Sequence, residues 1–440
     1  MIRHCVLVLL LLPEYVWSLS FHVEAGIQDS LMAQSDTTEY FALYVPEGSQ
    51  KPKKAILFFE PVGRAALPIA RYRDLADQYG YTLICPYGSR NGDFEPTLKA
   101  ADAMMNELAL MGYQSDHIYT SGFSGGARAA AAIQQVYGLA GVIAVAGGWP
   151  PSKEYLPTEG DSLSYVAIVG DKDMNMLEHG RYQEYLSDLS ITNAIVYYPA
   201  RHQWPPVSVY RQGLAWLQRS IGGYSSLTDY ADSLLSVNPY LGYLQWQQWA
   251  LYPTDNFPIG QFKDKMEILE ANETIKELVA DHQLAQKKQL DLRQAYEDAL
   301  DQLRADLFTG VPSEYGLPWW KTEIRKLHKW SGTQDPATAL MADRIIDGLR
   351  GAFHIMITEA NDYSRFEMAA KLNQIMLLMY PDSVVYHFNQ AVYLALQGHY
   401  KKAKKWLSTA QELDTELLNR LRSNPLYDGL KAQKEYEFLF

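Results

Sequence analysis

Residues 118–126, IYTSGFSGG, join a strand-forming run to the alanine-rich run ARAAAAIQQV. The spacing G-x-S-x-G between a strand and a helix is typical of a turn that presents a serine nucleophile, here Ser124. Gly122 and Gly126 leave room for a strained turn, and the N-terminus of the following helix favours negative charge beside the serine. The alternative interpretation is a tight glycine corner with an incidental serine.

Short apolar runs alternate with helical patterns from residue 38 to about 220. The helical patterns cover 67–79, 96–112, 125–137 and 177–189, and the strand candidates are EYFALYVP, KAILFFE, YTLICPYG, DHIYTSGF, LAGVIAVAGG, SYVAIVGD and AIVYYPA. This alternation predicts an α/β fold with a mostly parallel sheet and helices on both of its faces. The first two strands have no helix between them, which predicts an antiparallel hairpin.

The second half of the chain has a different character. Residues 224–440 show almost no β-periodicity, and their apolar residues recur at three- and four-residue steps. This pattern predicts an all-α C-terminal domain. We expect a catalytic domain over 21–223, a helical region over 224–345 and a second helical region over 346–440.

The last helical region contains a candidate repeat of 34 residues. Small and apolar residues in 384–417 stand where a tetratricopeptide-like helix pair needs close packing, namely Ala391, Leu394, Gly398, Ala403, Leu407 and Ala410. The preceding period, 350–383, matches less well, since Ile357 stands where alanine is usual. The alternative is a plain helical hairpin, because fewer than three repeats rarely form an array of their own.

Composition narrows the classes of partner. A length of 440 residues predicts two or three domains, and the net charge of −12 argues against nucleic acid or an anionic membrane surface as a partner. The two cysteines are Cys5 and Cys85, which excludes a disulfide framework and a cysteine metal site. Cys85 lies in an apolar run and is interpreted as a buried thiol.

The N-terminus has the order of a secretory signal peptide. Residues 1–20 carry a basic start, eight successive apolar residues and then small residues at Ser18 and Ser20. The apolar stretch is too short to span a bilayer, and no later stretch qualifies as a transmembrane helix. The sequence predicts export to the periplasm or the extracellular space. The alternatives are a buried first strand or an incorrectly assigned start codon.

Ser124 needs a histidine base and an orienting carboxylate to act as a nucleophile. In a fold of this kind the order along the chain is Ser, Asp, His, each after a strand. The run SYVAIVGDKD supplies Asp171 and Asp173, and AIVYYPARHQW supplies His202. Asp173 is preferred because it lies three residues past the strand-ending glycine, while Asp171 is placed to form a local turn.

An oxyanion hole requires two backbone N–H groups. Gly125, which follows the nucleophile, supplies one. The other is expected from the loop after KAILFFE, where Pro61 has no N–H, so Val62 or Gly63 must donate. In that loop Glu60 is placed either to pair with Arg64 or to repel a developing oxyanion.

Residues next to these positions are candidates for substrate binding. They are Arg201, Trp204, Tyr87 and the segment SRNGDFE at 89–95. Each has an alternative interpretation as an ordinary loop residue. No cluster of ligands has metal-binding spacing, so no metal or cofactor is implied.

The stretch from about 38 to 220 resembles the α/β-hydrolase fold, and within it the exported esterases that include polyhydroxybutyrate depolymerases and feruloyl or acetylxylan esterases. The matching residues are Gly122-Phe123-Ser124-Gly125-Gly126, Gly170-x-x-Asp173 and His202-Gln203-Trp204-Pro205. The chain departs from that group at Glu60-Pro61, where His-Gly is usual, and at Ala200-Arg201, where glycines are usual. The resemblance implies the triad Ser124, Asp173 and His202, and an ester substrate that is a small molecule or is linked to a carbohydrate or polyester.

The first hypothesis is therefore a serine hydrolase acting on a carboxylic ester. A peptidase is the nearest rival enzyme, since the same triad cleaves amides. The second hypothesis is an exported interaction module, in which the helical half binds a protein partner and the hydrolase core is inert.

Overall fold

The computed structural model describes residues 27–46, 54–218, 223–251, 259–424 and 427–440. The predicted signal peptide, residues 1–20, lies outside the described residues. Contacts divide the chain into compact units over His22–Gln283 and Leu284–Phe440. None of the described helices combines the length and apolar character needed to cross a membrane.

The first unit contains an eight-stranded, mostly parallel sheet. Its strands are β1 (Gln28–Met32), β2 (Tyr40–Tyr44), β3 (Lys54–Phe59), β4 (Tyr81–Pro86), β5 (Ile118–Phe123), β6 (Gly141–Val145), β7 (Ser164–Gly170) and β8 (Thr192–Tyr198). They lie in the order β1-β2-β4-β3-β5-β6-β7-β8, and β3 to β8 run parallel. This order is that of the α/β-hydrolase fold, as predicted.

The predicted hairpin between β2 and β3 is wrong. β2 pairs antiparallel with β1 and with β4, and β3 pairs with the other side of β4. β2 and β3 are therefore not paired with each other, because β4 lies between them in the sheet. The pairing of β2 with β4 is a non-local contact, and the local pattern holds no signal for it.

Helices cover both faces of the sheet. They are α1 (Ala66–Tyr79), α2 (Phe94–Leu110), α3 (Gly125–Tyr137), α4 (Met176–Asp188) and α5 (Val207–Gln218). Successive residues of β3 enter different apolar cores, with Ile56 and Phe58 in one and Leu57 and Phe59 in the other. A central strand therefore has to be apolar at every position rather than at alternate ones.

Three further helices belong to the sheet unit, namely α6 (Gly223–Val237), α7 (Pro239–Ala250) and α8 (Ile259–Ala271). Two side chains of α7 bond the main chain of the edge strand β8. The Gln245 amide accepts from Tyr197 N–H at 2.8 Å and donates to Ile195 C=O at 3.1 Å, while the Gln248 oxygen accepts from Ile195 N–H at 3.0 Å. The compact unit extends to 283, and within it α7 covers the outer edge of β8, whose other edge pairs with β7. The domain boundary at 223/224 stays a prediction.

The second unit is helical. Its helices are α9 (Glu273–Thr309), which contains the division at 283/284, α10 (Leu317–Ser331), α11 (Pro336–Asp362), α12 (Phe366–Met379), α13 (Val384–Leu396), α14 (Tyr400–Leu413), α15 (Thr415–Arg422) and α16 (Asp428–Lys431). The predicted boundary at 345/346 falls inside α11. Ala391, Ala403 and Ala410 are fully buried in α13 and α14, as close helix packing requires. The tetratricopeptide-like repeat stays a prediction.

Candidate active site

Ser124 occupies a strained turn between β5 and α3. Its φ is 55° and its ψ is −119°, a conformation that non-glycine residues rarely adopt. A Cβ at Gly122 would lie 2.1 Å from the carbonyl oxygen of Gly126, and one at Gly126 would lie 2.1 Å from that of Phe59. Both glycines are therefore required by close backbone approach.

The hydroxyl of Ser124 does not cap the helix that follows it. A serine just before a helix usually has extended dihedrals and accepts a hydrogen bond from the second or third helical N–H. Here the backbone is held instead by the Ser124 N–H, which donates to Val145 C=O at 2.8 Å. Helix capping is the usual structural role of a serine at this position, and it does not explain the conformation of Ser124.

His202 pairs with Asp173 rather than with Asp171. The His202 Nδ1 lies 3.0 Å from Asp173 Oδ2. The Asp171 carboxylate instead accepts from the backbone N–H of Ala200 at 3.0 Å. Asp171 therefore positions the start of the histidine loop, and Asp173 contacts the imidazole itself.

The Asp173–His202 pair is held from two sides. The second oxygen of Asp173 accepts from the backbone N–H of Asn175 at 2.8 Å, and the Asn175 side chain donates to Ala146 C=O at 2.8 Å. The Asp173 side chain is fully buried, so solvent does not compete for it. The imidazole of His202 lies against the ring of Phe123, with centroids 4.7 Å apart. Since Phe123 precedes Ser124, the pair lies beside the serine turn.

Trp204 was predicted at the substrate rim, and the structure corrects this. It is only 6% exposed and packs against Phe123 and Tyr72 in an apolar core. Arg71 donates to Trp204 C=O at 3.2 Å, and the Tyr72 hydroxyl donates to Pro205 C=O at 2.9 Å. These contacts make Trp204 an anchor of the loop that carries the histidine, not an open binding surface.

The other two predicted rim residues have different surroundings. Tyr87 is half-buried and its hydroxyl donates to Asp29 of β1, so that hydroxyl is engaged at the sheet edge. Its contact with substrate stays a prediction. Arg201 is half-buried and directly precedes His202. Its contact with substrate stays a prediction.

The loop after β3 is organised around the buried carboxylate of Glu60. Arg64 donates to Glu60 Oε1 from Nε at 3.0 Å and from Nη2 at 2.5 Å, which confirms the pairing alternative for these residues. Glu60 Oε2 accepts from Val62 N–H at 2.9 Å and from Arg64 N–H at 3.0 Å, while Gly63 N–H donates to Glu60 C=O at 3.2 Å. The assignment of Val62, or of Gly63, as an oxyanion donor is corrected, because both amides are already engaged.

Gly125 is the first residue of α3 and directly follows Ser124. Helix starts leave their first N–H groups without partners inside the helix. The position is therefore compatible with the predicted donor role, which stays a prediction.

Several polar residues near the site were missed from the sequence. Arg128 of α3 donates to both oxygens of Glu178 in α4 at 3.0 Å, and Glu178 also accepts from Gly148 N–H at 2.8 Å. His179 is fully buried, and neither ring nitrogen has a hydrogen-bond partner among the described residues. Burial lowers the pKa of His179, although the carboxylates of Glu178 and Asp173 act in the opposite direction. The helical periodicity around Arg128, Glu178 and His179 does not indicate that these side chains lie near the site.

Comparisons with known proteins give structural neighbours only. No family model matches the chain, and no curated protein sequence is significantly similar to it. An S-formylglutathione hydrolase from Staphylococcus aureus matches at 13% identity and TM-score 0.34, over 45% of this chain and 99% of that one. A ferulic acid esterase matches at 12% identity and TM-score 0.35, over 43% of this chain and 94% of that one. A hyperthermophilic esterase from Pyrobaculum calidifontis matches at 12% identity and TM-score 0.36, over 51% of this chain and 90% of that one. Identities of 12–13% and TM-scores below 0.5 assign no function to this chain.

Proposed function

We propose that the protein is a serine hydrolase that cleaves a carboxylic ester through an acyl-enzyme. Ser124 attacks the acyl carbon while Nε2 of His202, the ring nitrogen opposite the Asp173 contact, accepts the hydroxyl proton. The same imidazolium then protonates the departing alcohol. Water repeats the sequence on the acyl-enzyme, releasing the acid and restoring Ser124.

Asp173 has the orienting role in this proposal. A carboxylate that accepts from Nδ1–H fixes the tautomer in which Nε2 carries no proton, and it stabilises the imidazolium that forms. The 3.0 Å contact between Asp173 and His202 supports this role. The Gly125 N–H is assigned to the developing oxyanion.

The observation that carries the proposal is the strained serine turn beside a buried acid–base pair. Ser124 has a φ of 55° and makes no cap, while Asp173 and His202 follow the neighbouring strands β7 and β8. Because β5, β7 and β8 are parallel, their carboxyl ends meet at one edge of the sheet. Backbone strain held beside such a pair is typical of an active site.

The test is covalent labelling with a fluorophosphonate probe, which reacts with activated serines. The wild-type protein is expected to label stoichiometrically at Ser124, as read by peptide mass spectrometry. Ser124→Ala abolishes the label, and Ser152→Ala, at an exposed serine, keeps it. A wild-type protein that folds normally and never labels would reject the proposal.

The substrate is proposed as an ester of a small molecule, or one linked to a carbohydrate or polyester. The screen compares acetyl, feruloyl and short-chain aryl esters with matched amides on purified protein. Ester turnover without amide turnover supports an esterase. Faster amide turnover would favour the peptidase alternative.

The alternative of an inert core has one observation in its favour. The Val62 amide is engaged by Glu60, so the usual second oxyanion donor is absent from this loop. In that alternative the helical half, with a tetratricopeptide-like pair, binds a protein partner. Labelling at Ser124 separates the two functions.

Export is also proposed, on the pattern of residues 1–20. Expression of the full chain in a bacterial host, followed by fractionation and N-terminal sequencing, tests it. A mature N-terminus just after Ser18 or Ser20 in the periplasm or medium is expected. An intact Met1 in the cytoplasm would contradict it.

A further inference from the structure

In the loop after β3, none of the three amides that follow Pro61 is available to an oxyanion in the observed arrangement. Pro61 has no N–H, and the amides of Val62, Gly63 and Arg64 all donate to Glu60. A tetrahedral oxyanion usually needs two donors, of which Gly125 supplies only one. If the proposed function holds, a donor has to come from elsewhere.

The polar side chain of Asn91 lies next to Gly125, the residue that follows Ser124. It belongs to the loop between β4 and α2, and its backbone N–H donates to Pro61 C=O at 2.7 Å. A single antiparallel bridge between Val62 and Arg90 holds the same two loops together. Asn91 is thus anchored to the segment from which the missing donor was expected.

The side chain of Asn91 covers Gly125. A Cβ at Gly125 would lie 1.8 Å from Asn91 Oδ1, 2.8 Å from its Cγ and 3.3 Å from its Nδ2. The amide therefore occupies the space that a side chain next to the nucleophile would otherwise fill. Asn91 remains exposed, so a bound substrate can reach it.

We propose that the side-chain amide of Asn91 donates the second hydrogen bond to the oxyanion formed at Ser124. An amide carries two N–H donors and one acceptor, and a half-turn about its last torsion exchanges the oxygen for the nitrogen. The amide donates a hydrogen bond without transferring a proton, so the atoms and protons exchanged in ester hydrolysis are unchanged. The inference rests on the proposed function and replaces one part of it, the donor first assigned to Val62.

Charge favours a neutral donor at this position. Glu60 is buried close to the site, and its negative charge is balanced by Arg64 rather than left to face the oxyanion. An amide next to Gly125 adds a donor without disturbing that pair. A carboxylate in its place would add a negative charge that opposes the developing one.

The test uses Asn91→Ala and Asn91→Asp, with Asn419→Asp as the control for the same change at an exposed asparagine in α15. Loss of one oxyanion donor typically lowers kcat about 100- to 1,000-fold. We expect such a loss in both Asn91 variants with KM nearly unchanged, and a larger loss for aspartate than for alanine. Thermal unfolding of each variant checks that the fold is kept.

A second readout separates donation from a merely structural role. A trifluoromethyl ketone forms a hemiketal oxyanion on an active serine, so its affinity reports the oxyanion contacts. Its inhibition constant is expected to weaken in both Asn91 variants by the same factor as kcat/KM. A structural perturbation would change KM and the unfolding midpoint without this proportionality.

The outcomes distinguish the two proposals. A wild-type protein that labels with fluorophosphonate and turns over an aryl ester, with Asn91 variants within about threefold of it, overturns the role of Asn91 and leaves the hydrolase intact. A wild-type protein that neither labels nor turns over ester overturns the proposed function, and the role of Asn91 with it.

Discussion

The carboxylate of Asp173 links His202 to the end of β7, with one oxygen 3.0 Å from His202 Nδ1 and the other accepting the Asn175 N–H at 2.8 Å. Both oxygens are thereby fixed, and the imidazole has one preferred orientation. This relationship separates Asp173 from its neighbour Asp171, which bonds the backbone of Ala200.

Replacing Asp173 by asparagine is expected to lower kcat about 1,000- to 10,000-fold, because an amide can favour the wrong tautomer of His202. The fold should be retained, since the change is isosteric. Asp171→Asn is the matched control and should keep kcat within about tenfold, because an amide oxygen still accepts from Ala200. Steady-state kinetics on an aryl ester measures both. Equal losses in the two variants would contradict the assignment.

Removing the Glu60 side chain is expected to destabilise the sheet unit by about 2–4 kcal/mol. Glu60→Ala removes the carboxylate that the Arg64 guanidinium and the amides of Val62 and Arg64 bind. The measurement is the free energy of unfolding in urea. Glu154→Ala removes an exposed carboxylate and should change it by less than about 0.5 kcal/mol. Equal effects of the two changes would show that the Glu60 network adds no stability.

Gln245→Ala is expected to destabilise the protein by about 2 kcal/mol, because the N–H of Tyr197 loses its acceptor and the C=O of Ile195 loses a donor. An unpaired edge strand also favours self-association. Thermal unfolding and size-exclusion chromatography measure these effects. Gln247→Ala on the same helix is the control, since Gln247 is half-exposed. A monomer of unchanged stability would mean that α7 does not protect β8.

The buried His179 is expected to make stability fall in acid. Because burial lowers its pKa in the folded state, the unfolded chain binds a proton below about pH 6.5 that the folded chain does not. Stability should therefore decline as the pH falls through this range, by up to about 1.4 kcal/mol per pH unit from this residue.

Urea unfolding between pH 7.5 and 5.5 tests the role of His179. His179→Gln keeps a polar side chain that does not titrate and should show a shallower decline than wild type. His117→Gln, at an exposed histidine, is the control and should follow wild type. If the free energy of unfolding changed with pH in the same way in all three proteins, His179 would not be the source of the acid sensitivity.

Much of the sheet unit follows from local sequence. The predicted helix at 125–137 has the observed bounds, and that at 67–79 begins one residue late. Such agreement is expected where apolar runs are continuous and glycine ends the helix, as Gly80 and Gly138 do in left-handed conformations. The buried state of Cys85 also follows from its apolar run, and the structure confirms it.

The sequence alone determined the strand–helix alternation and the position of the serine turn, because each depends on residues close together in the chain. Tertiary structure decided which aspartate meets His202, where β2 pairs and which helices complete the sheet. It also decided that Glu60 occupies the Val62 amide and that Asn91 covers Gly125. Those outcomes depend on contacts between distant segments, where burial and hydrogen-bond geometry select one arrangement from several that local pattern permits.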